Sequence, residues 1–388
     1  STISNCRASR SRPGLGTGRA GHKGFIPRIL RRYDVNLQHM EKSLYSTEIQ
    51  SMESSKESNR VRSVLQKWLP WIVTIVIFIY LFNQIPIDEV LAAFKRANLL
   101  LFLPIVFTFT ILFFFGDSYV SSFLFTRFGT IVTFRDMVPI RGTTYLITVL
   151  NYMVGQGGLA LIMSRWKKTA ISRTTSIVIF NLHTDYFTLL AFCLGSAFRL
   201  PDVDMVNFFD SSEAGHLVRF VIISWIVFIL HIGFYRWLLP RSSGFTRIKG
   251  NRVLSSFVEG PVIRYFQLIF IKSILFMTGI VANYYALQAF GLHVPFWRLS
   301  VMLPIVWLIG SIPITVMRMG TIQAAMLWLV AQHTQGGVDP EKIRAAVLAY
   351  SLLWEIGLNM GRFIIGAICI TQVPRNIWMP KAKEEIKE

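Results

Sequence analysis

The strongest constraint on this chain is a set of long apolar segments that contain almost no charged residues. Six of them span residues 68–83, 99–124, 174–198, 217–239, 265–290 and 345–371. A helix needs about 20 apolar residues to cross the hydrocarbon core, so the first segment is short and the others are adequate. Apolar residues make up 53% of the chain and charged residues 16%, which excludes a soluble enzyme domain, a disulfide scaffold and a β-barrel. We expect an all-α polytopic membrane protein with six spans.

Two further apolar stretches, 142–163 and 299–333, are interrupted by glycine, proline and polar residues. The interrupting residues are Asn151, Gly155, Gln156, Gly157 and Gly158 in the first stretch, and Gly310, Pro313, Arg318 and Gly320 in the second. Irregular backbone at membrane depth is tolerated only where protein or a water-filled cavity covers it. The two stretches therefore predict re-entrant hairpins made of broken helices. Two ordinary spans in place of one or both hairpins remain an alternative.

The distribution of basic residues predicts how the chain threads through the membrane. With both hairpins re-entrant, the segments on one side carry 30 Lys/Arg and those on the other side carry 7. Because basic loops stay cytoplasmic, the richer side and both termini are predicted to be cytoplasmic, in an inner or plasma membrane. Residues 67–199 and 217–372 then form two halves with the same order of span, span, hairpin and span. The halves start on opposite sides, so we expect inverted repeats, whose broken helices point to a transporter site.

The ends of the chain differ in composition from the apolar part. Residues 1–66 are polar and basic and predict a disordered cytoplasmic tail, and residues 373–388 predict a second cytoplasmic tail. The net charge is +19. Basic residues beside membrane spans usually reflect topology and attraction to anionic lipid head groups, so we expect lipids as partners and no nucleic acid.

Three runs of residues carry a resemblance to a known family. Residues 141–165 read RGTTYLITVLNYMVGQGGLALIMSR, residues 178–185 read VIFNLHTD, and residues 312–325 read IPITVMRMGTIQAA. They resemble the lysylphosphatidylglycerol synthase transmembrane region family, also called the flippase-like domain family, over about residues 65–372. The corresponding positions are Asn151, Gly158, Arg165, Asp185, Pro313 and Gly320.

The resemblance implies a function and also shows two departures from the family pattern. Members of the family are tied to moving lipids or polyprenyl-linked lipids between leaflets, so it implies a flippase-like protein. The family has a Glu after the Gly of each hairpin, whereas this chain has Leu159 or Ala160 in the first and Gln323 in the second. A function carried by those carboxylates is lost here or has moved elsewhere.

Ionisable residues inside the apolar segments are the main candidates for a functional site. Such residues cost about 2.5–3.5 kcal/mol on insertion scales, so they usually face the protein interior and have a partner. We expect Asp117, Asp185 and Glu355 to serve in cation coupling or in structural ion pairs, for example Asp185 with Lys272 or Glu355 with a nearby Arg such as Arg362. Candidates for binding a lipid head group are Arg141, Arg318, Arg362 and Asn151. Arg141 is expected at the mouth of the first hairpin.

The sequence favours a secondary translocator of an anionic phospholipid or a polyprenyl phosphate. A guanidinium beside the exposed amides of a helix end suits a phosphate. The sequence contains no G-x-x-x-x-G-K-[ST] loop, so ATP is not expected as the direct motor. The alternatives are a membrane-embedded transferase acting on a lipid-linked substrate, or an accessory subunit. No catalytic motif supports an enzyme, no cofactor or metal site is expected, and a homo-oligomer remains open.

Overall fold

The computed structural model describes residues 68–199, 212–241, 252–312, 315–334 and 339–374. The predicted tail 1–66 and almost all of the predicted tail 373–388 lie outside the described residues. Within the described ranges the regular structure is helical and contains no strand, which confirms the all-α fold class.

We name twelve helices of the described part of the chain, in chain order. They are α1 (Trp68–Gln84), α2 (Ile87–Arg96), α3 (Leu99–Arg127), α4 (Phe134–Leu150), α5 (Tyr152–Lys167), α6 (Ile171–Arg199), α7 (Ser212–Gly233), α8 (Ser255–Glu259), α9 (Val262–Gln288), α10 (Phe296–Gly310), α11 (Thr321–Leu329) and α12 (Pro340–Ile370). Helix α7 continues through a π-helical turn, Phe234–Leu238. Short 3₁₀ turns precede α8 and α11 and follow α11.

Four of these helices, α3, α6, α9 and α12, are long and apolar enough to cross a membrane. Only 22% of the most apolar 18-residue segment of α3 is buried inside the protein. Its outward side carries large apolar side chains, such as Leu100 at 90% exposure. A helix that is apolar all round but exposed on one side must face lipid on that side. The chain is therefore a multi-pass helical membrane protein.

The prediction of six spans is not confirmed. By length and composition, the described residues provide four spans, or five if α1 and α2 count as one bent pair. The predicted span 68–83 corresponds to α1, which turns by 85° into α2. Pro86 lies at this turn as the N-cap of α2, and the residue before a proline is disfavoured in a helix. The predicted span 217–239 contains a shorter apolar helix, Ile222–Leu238.

Both stretches predicted to be broken contain a break. In the first, Asn151 is extended (φ −156°, ψ 122°) and separates α4 from α5. Its Oδ1 accepts hydrogen bonds from the N–H groups of Met153 (2.9 Å) and Val154 (3.1 Å), so the side chain caps α5. In the second, α10 ends at Gly310 and α11 begins at Thr321. Pro313 lies outside the described residues.

The first hairpin, α4 and α5, lies among the long helices. Helix α4 packs against α3, α5 and α12, and α5 also packs against α6. Two glycines let α4 and α12 approach closely. A Cβ at Gly142 would lie 2.3 Å from the Sγ of Cys369, and one at Gly366 would lie 3.1 Å from the carbonyl oxygen of Gly142. This contact holds the polar face of α4 against the C-terminal span.

The two helices of the first hairpin pack through Gly155. A Cβ there would lie 2.1 Å from Thr148 Oγ1 and 2.9 Å from Thr148 Cα, whereas Gly157 faces open space. Gly155→Ala is therefore expected to destabilise the protein by about 1–3 kcal/mol through overpacking. Gly157→Ala, the matched control, is expected to leave stability unchanged or to raise it, since alanine favours the helix. Thermal unfolding in detergent measures both, and equal effects of the two variants would contradict the close packing.

Candidate functional site

A buried ion pair joins α3 to α4. The Nε of Arg141 donates a hydrogen bond to Asp117 Oδ2 at 2.6 Å, and the hydroxyl of Tyr145 donates to the same oxygen at 3.0 Å. Arg141 Nη1 also donates to Gln156 Oε1 on α5 at 3.3 Å. The Arg141 side chain is 4% exposed and that of Asp117 is 14% exposed. The first hairpin is thus tied to α3 by a charge-assisted network.

A second ion pair joins α6 to α9. The Nζ of Lys272 lies 2.7 Å from Asp185 Oδ1. It also donates to the carbonyl oxygen of Asn181 and to Thr184 Oγ1, each at 2.7 Å. All three donor positions of the buried ammonium group are therefore used. Asp185, by contrast, keeps 35% of its side-chain surface accessible.

Other charged groups lie near Asp185. Its carboxylate lies within electrostatic range of Asp117 on α3 and Arg141 on α4 as well as Lys272 on α9. Tyr152, the first residue of α5, is 44% exposed and lies within range of Asp185, Arg141 and Asp117. The accessible part of the Asp185 side chain marks a space beside these charges, which we call the crevice.

The second broken stretch brings a further cation to this crevice. Arg318 lies within electrostatic range of Tyr152, and its 3₁₀ turn (Val316–Arg318) contacts α4. The turn contains two successive non-glycine residues in the left-handed region, Met317 (φ 54°) and Arg318 (φ 63°). Gly320 follows at φ 91°. Left-handed backbone is unfavourable for residues with a side chain, so packing must hold this turn in place.

Arg362 on α12 adds a second cation beside Arg318. Arg362 lies within electrostatic range of Arg318, Glu355, Tyr145 and Tyr152. Its Nη1 donates a hydrogen bond to Asn359 Oδ1 at 3.3 Å. In the described part of the chain neither Arg318 nor Arg362 has a carboxylate within ion-pair distance. We call this group of side chains the polar cleft; its members are Asp117, Arg141, Tyr152, Asp185, Lys272, Arg318 and Arg362.

The polar cleft carries an excess of positive charge. Arg141 is neutralised by Asp117 and Lys272 by Asp185. The guanidinium groups of Arg318 and Arg362 remain, and they lie within electrostatic range of each other. Two like charges near each other at low dielectric attract an anion strongly.

The structure corrects the predicted position of Arg141. The sequence placed this residue at the mouth of the first hairpin, where it would collect lipid head groups. Arg141 instead lies within α4, is 3% exposed and is held by Asp117 and Gln156. The run of basic residues around it set the expectation of a loop, whereas the observed helix α4 begins earlier, at Phe134. Its role in this geometry is to hold α3 and the hairpin together.

Asp185 and Glu355, both expected in cation coupling or in ion pairs, lie in different surroundings. Asp185 pairs with Lys272, as the ion-pair hypothesis supposes. Glu355 is 3% exposed and lines a separate pocket, and its predicted partner Arg362 hydrogen-bonds Asn359 instead. The two acidic residues therefore have different surroundings.

The remaining predicted residues lie at the two helix breaks. Asn151 caps α5, and Gln323 supports the start of α11 because its Oε1 accepts a hydrogen bond from the Gly320 N–H at 2.6 Å. Gly158 packs near Ile147 and Gly320 packs near Ile77 of α1. Gln323 lies where the family that this sequence resembles has Glu, and its side chain has a structural role here.

Sequence reasoning missed Tyr145 and Tyr152. Tyr145 donates a hydrogen bond to Asp117, and Tyr152 lies within electrostatic range of Asp117 and Arg318. In the sequence both tyrosines lie in an apolar stretch and carry no charge, so neither stands out as a candidate. The sequence feature that indicates a role for Tyr152 is its position directly after Asn151, which separates α4 from α5.

Comparison with protein-family models, with curated proteins and with solved structures gives no match for this chain. The resemblance to the flippase-like family therefore stays a prediction.

Proposed function

We propose that the protein is a secondary translocator that moves an anionic phospholipid or a polyprenyl phosphate between membrane leaflets. The observation that supports this most is the pair of guanidinium groups, Arg318 and Arg362, beside a crevice within a multi-pass helical protein. Neither has an ion-pair partner among the described residues. A bound lipid phosphate would supply the missing negative charge.

The chemistry of the polar cleft suits a phosphate better than a carboxylate of a small solute. A guanidinium donates two parallel hydrogen bonds to two oxygens of one phosphate, and two such groups accommodate three or four oxygens. Tyr152 offers a further hydroxyl at the start of α5. The charges of Arg141 and Lys272 are balanced by their ion-pair partners. The two positive charges that remain match the charge of one phosphate group.

The surface beside the polar cleft suits an acyl or isoprenoid tail. Met153 and Val154, which follow Tyr152 in the first turn of α5, are each 58% exposed. A lipid whose head group contacts Arg318 and Tyr152 would lay its tail on these apolar side chains. An amphipathic substrate would then keep its tail in the bilayer while the head group moves.

The proposal includes the topology expected from the sequence. Six spans and two re-entrant hairpins would form inverted halves, with both termini cytoplasmic, in an inner or plasma membrane. The order of helices supports this, because a long helix, a broken pair and a long helix occur in sequence twice, as α3 to α6 and as α9 to α12. The resemblance to the flippase-like family belongs to the same proposal.

A liposome assay tests the proposed activity. Purified protein is reconstituted with NBD-labelled phosphatidylglycerol, NBD-phosphatidylcholine or a labelled polyprenyl phosphate, and dithionite bleaches the label in the outer leaflet. We expect protein-dependent loss of the protected signal for an anionic lipid and much less for phosphatidylcholine. Protein-free liposomes provide the background. Exchange of none of these lipids by folded protein, or equal exchange of all of them, would contradict a translocator selective for anionic lipid.

A further inference from the structure

A small pocket lies between α9, α10, α11 and α12, and its residue Glu355 is within electrostatic range of Arg362. Its cavity of about 10 Å³ has room for about one water molecule or one small ion. Four polar residues line it: Asn283 on α9 and Tyr350, Ser351 and Glu355 on α12. Each of these four residues is at most 3% exposed.

The polar side chains of the pocket form a partly satisfied network. The hydroxyl of Tyr350 donates to Asn283 Oδ1 at 2.6 Å, and the Asn283 Nδ2 donates to the carbonyl oxygen of Gly279 at 2.8 Å. The hydroxyl of Ser351 donates to the carbonyl oxygen of Leu348 at 3.0 Å. Every hydroxyl proton is therefore used in a bond within the protein. The oxygens of Tyr350, Ser351 and Asn283 still have free lone pairs.

Glu355 is the exception in this network. Its Oε2 is buried and has no hydrogen-bond partner, and within the described residues its carboxylate makes no ion pair. A buried carboxylate without a partner is costly at membrane depth. In the described part of the chain no donor lies within hydrogen-bond distance of Glu355 Oε2, so the protein's own groups leave this cost unrelieved.

We propose that the pocket binds one monovalent cation of the size of Na⁺, with Glu355 as its charged ligand. The carboxylate oxygens of Glu355 together with the oxygens of Asn283, Tyr350 and Ser351 supply up to five ligands for a hard cation. A single carboxylate neutralises a monovalent ion, whereas Ca²⁺ and Mg²⁺ sites usually draw on more charge or on retained waters.

Trp307 and Trp354 also line the pocket. Their apolar rings lower the local polarity, which strengthens the attraction between the carboxylate and the cation. The site does not depend on the proposed lipid transport. A protein that binds Na⁺ here and moves no lipid would still satisfy the proposal.

The test measures ²²Na⁺ binding and thermal stability in detergent, in NaCl, KCl or choline chloride at equal ionic strength. We expect saturable ²²Na⁺ binding and a rise in melting temperature of about 3 °C in NaCl over choline, as for a ligand at about tenfold its Kd. In Glu355→Gln both effects should disappear. The variant should also be at least as stable as the wild type in choline, since an uncompensated charge has been removed.

The matched control is Glu341→Gln, which alters an exposed glutamate in the first turn of the same helix. It should behave like the wild type in every salt. A second variant, Ser351→Ala, should fold and bind Na⁺ about tenfold more weakly through the loss of one ligand. A Na⁺ response that persists in Glu355→Gln, or a wild type that responds equally to Na⁺, K⁺ and choline, would overturn the proposal. A wild type whose stability depends on pH but not on Na⁺ would also overturn it, since Glu355 would then carry a proton.

Discussion

Replacing both Arg318 and Arg362 by alanine is expected to lower the leaflet exchange of anionic lipid by about 100-fold. A hydrogen bond to a charged group contributes about 1.5–3 kcal/mol, and each 1.4 kcal/mol corresponds to a factor of ten. Each single variant should therefore lose about tenfold of the rate. The reason is that the two guanidinium groups are the cations of the polar cleft without an ion-pair partner among the described residues.

The control for this prediction is Arg96→Ala. Arg96 is an exposed arginine near the end of α2, 60% accessible and paired loosely with Glu89 at 3.4 Å. Its loss should leave exchange near the wild-type rate. Arg318→Lys should retain more activity than Arg318→Ala, because lysine keeps the positive charge but cannot form the bidentate hydrogen bond. A double variant that exchanges anionic lipid as fast as the wild type would contradict the assignment of the two arginines.

The second large effect is expected at the ion pair of Asp117 and Arg141. Asp117→Ala should lower the free energy of unfolding by about 3–5 kcal/mol, because it leaves a buried guanidinium without its counter-charge. Arg141 is 4% exposed in its side chain, and its remaining direct contacts would include Gln156 and the ring of Tyr145, neither of which carries a counter-charge. Chemical or thermal unfolding in detergent measures the change.

The double variant Asp117→Ala with Arg141→Met separates charge from packing. It should recover most of the loss, because methionine fills space without leaving a charge in the interior. The control is Glu259→Ala, which breaks the more exposed Arg173–Glu259 pair at 2.6 Å. A surface pair contributes about 0–1 kcal/mol, so the control should change stability little. A double variant as unstable as Asp117→Ala would show that shape, rather than charge, holds the two helices.

Several parts of the fold could be predicted because they depend on local chemistry. The length and apolarity of residues 99–124 predict α3. The asparagine and glycines after residue 150 predict the break before α5. The ion pair between Asp185 and Lys272 followed from the cost of a lone charge in an apolar span. These features depend on the composition of one segment or on one pair of opposite charges.

Other parts could not be predicted because they depend on how distant helices pack. Apolar length alone suggested a straight first span, whereas Pro86 turns the chain by 85° after α1. The burial of Arg141 depends on its fit against Asp117, which is 24 residues away in the sequence. The pocket around Glu355 combines residues from α9 and α12 that show no pattern in the chain. Polar side chains in apolar helices reveal a site only when their neighbours are known.

The strained backbone of the turn that carries Arg318 has an energetic consequence for the proposed transport. Met317 and Arg318 are both left-handed, and each residue in such a conformation costs of order 1–3 kcal/mol. That cost is of the same size as the free energy that one charge-assisted hydrogen bond returns. If the proposed head-group binding at Arg318 occurs, its free energy is therefore large enough to offset the strain of one left-handed residue in this turn.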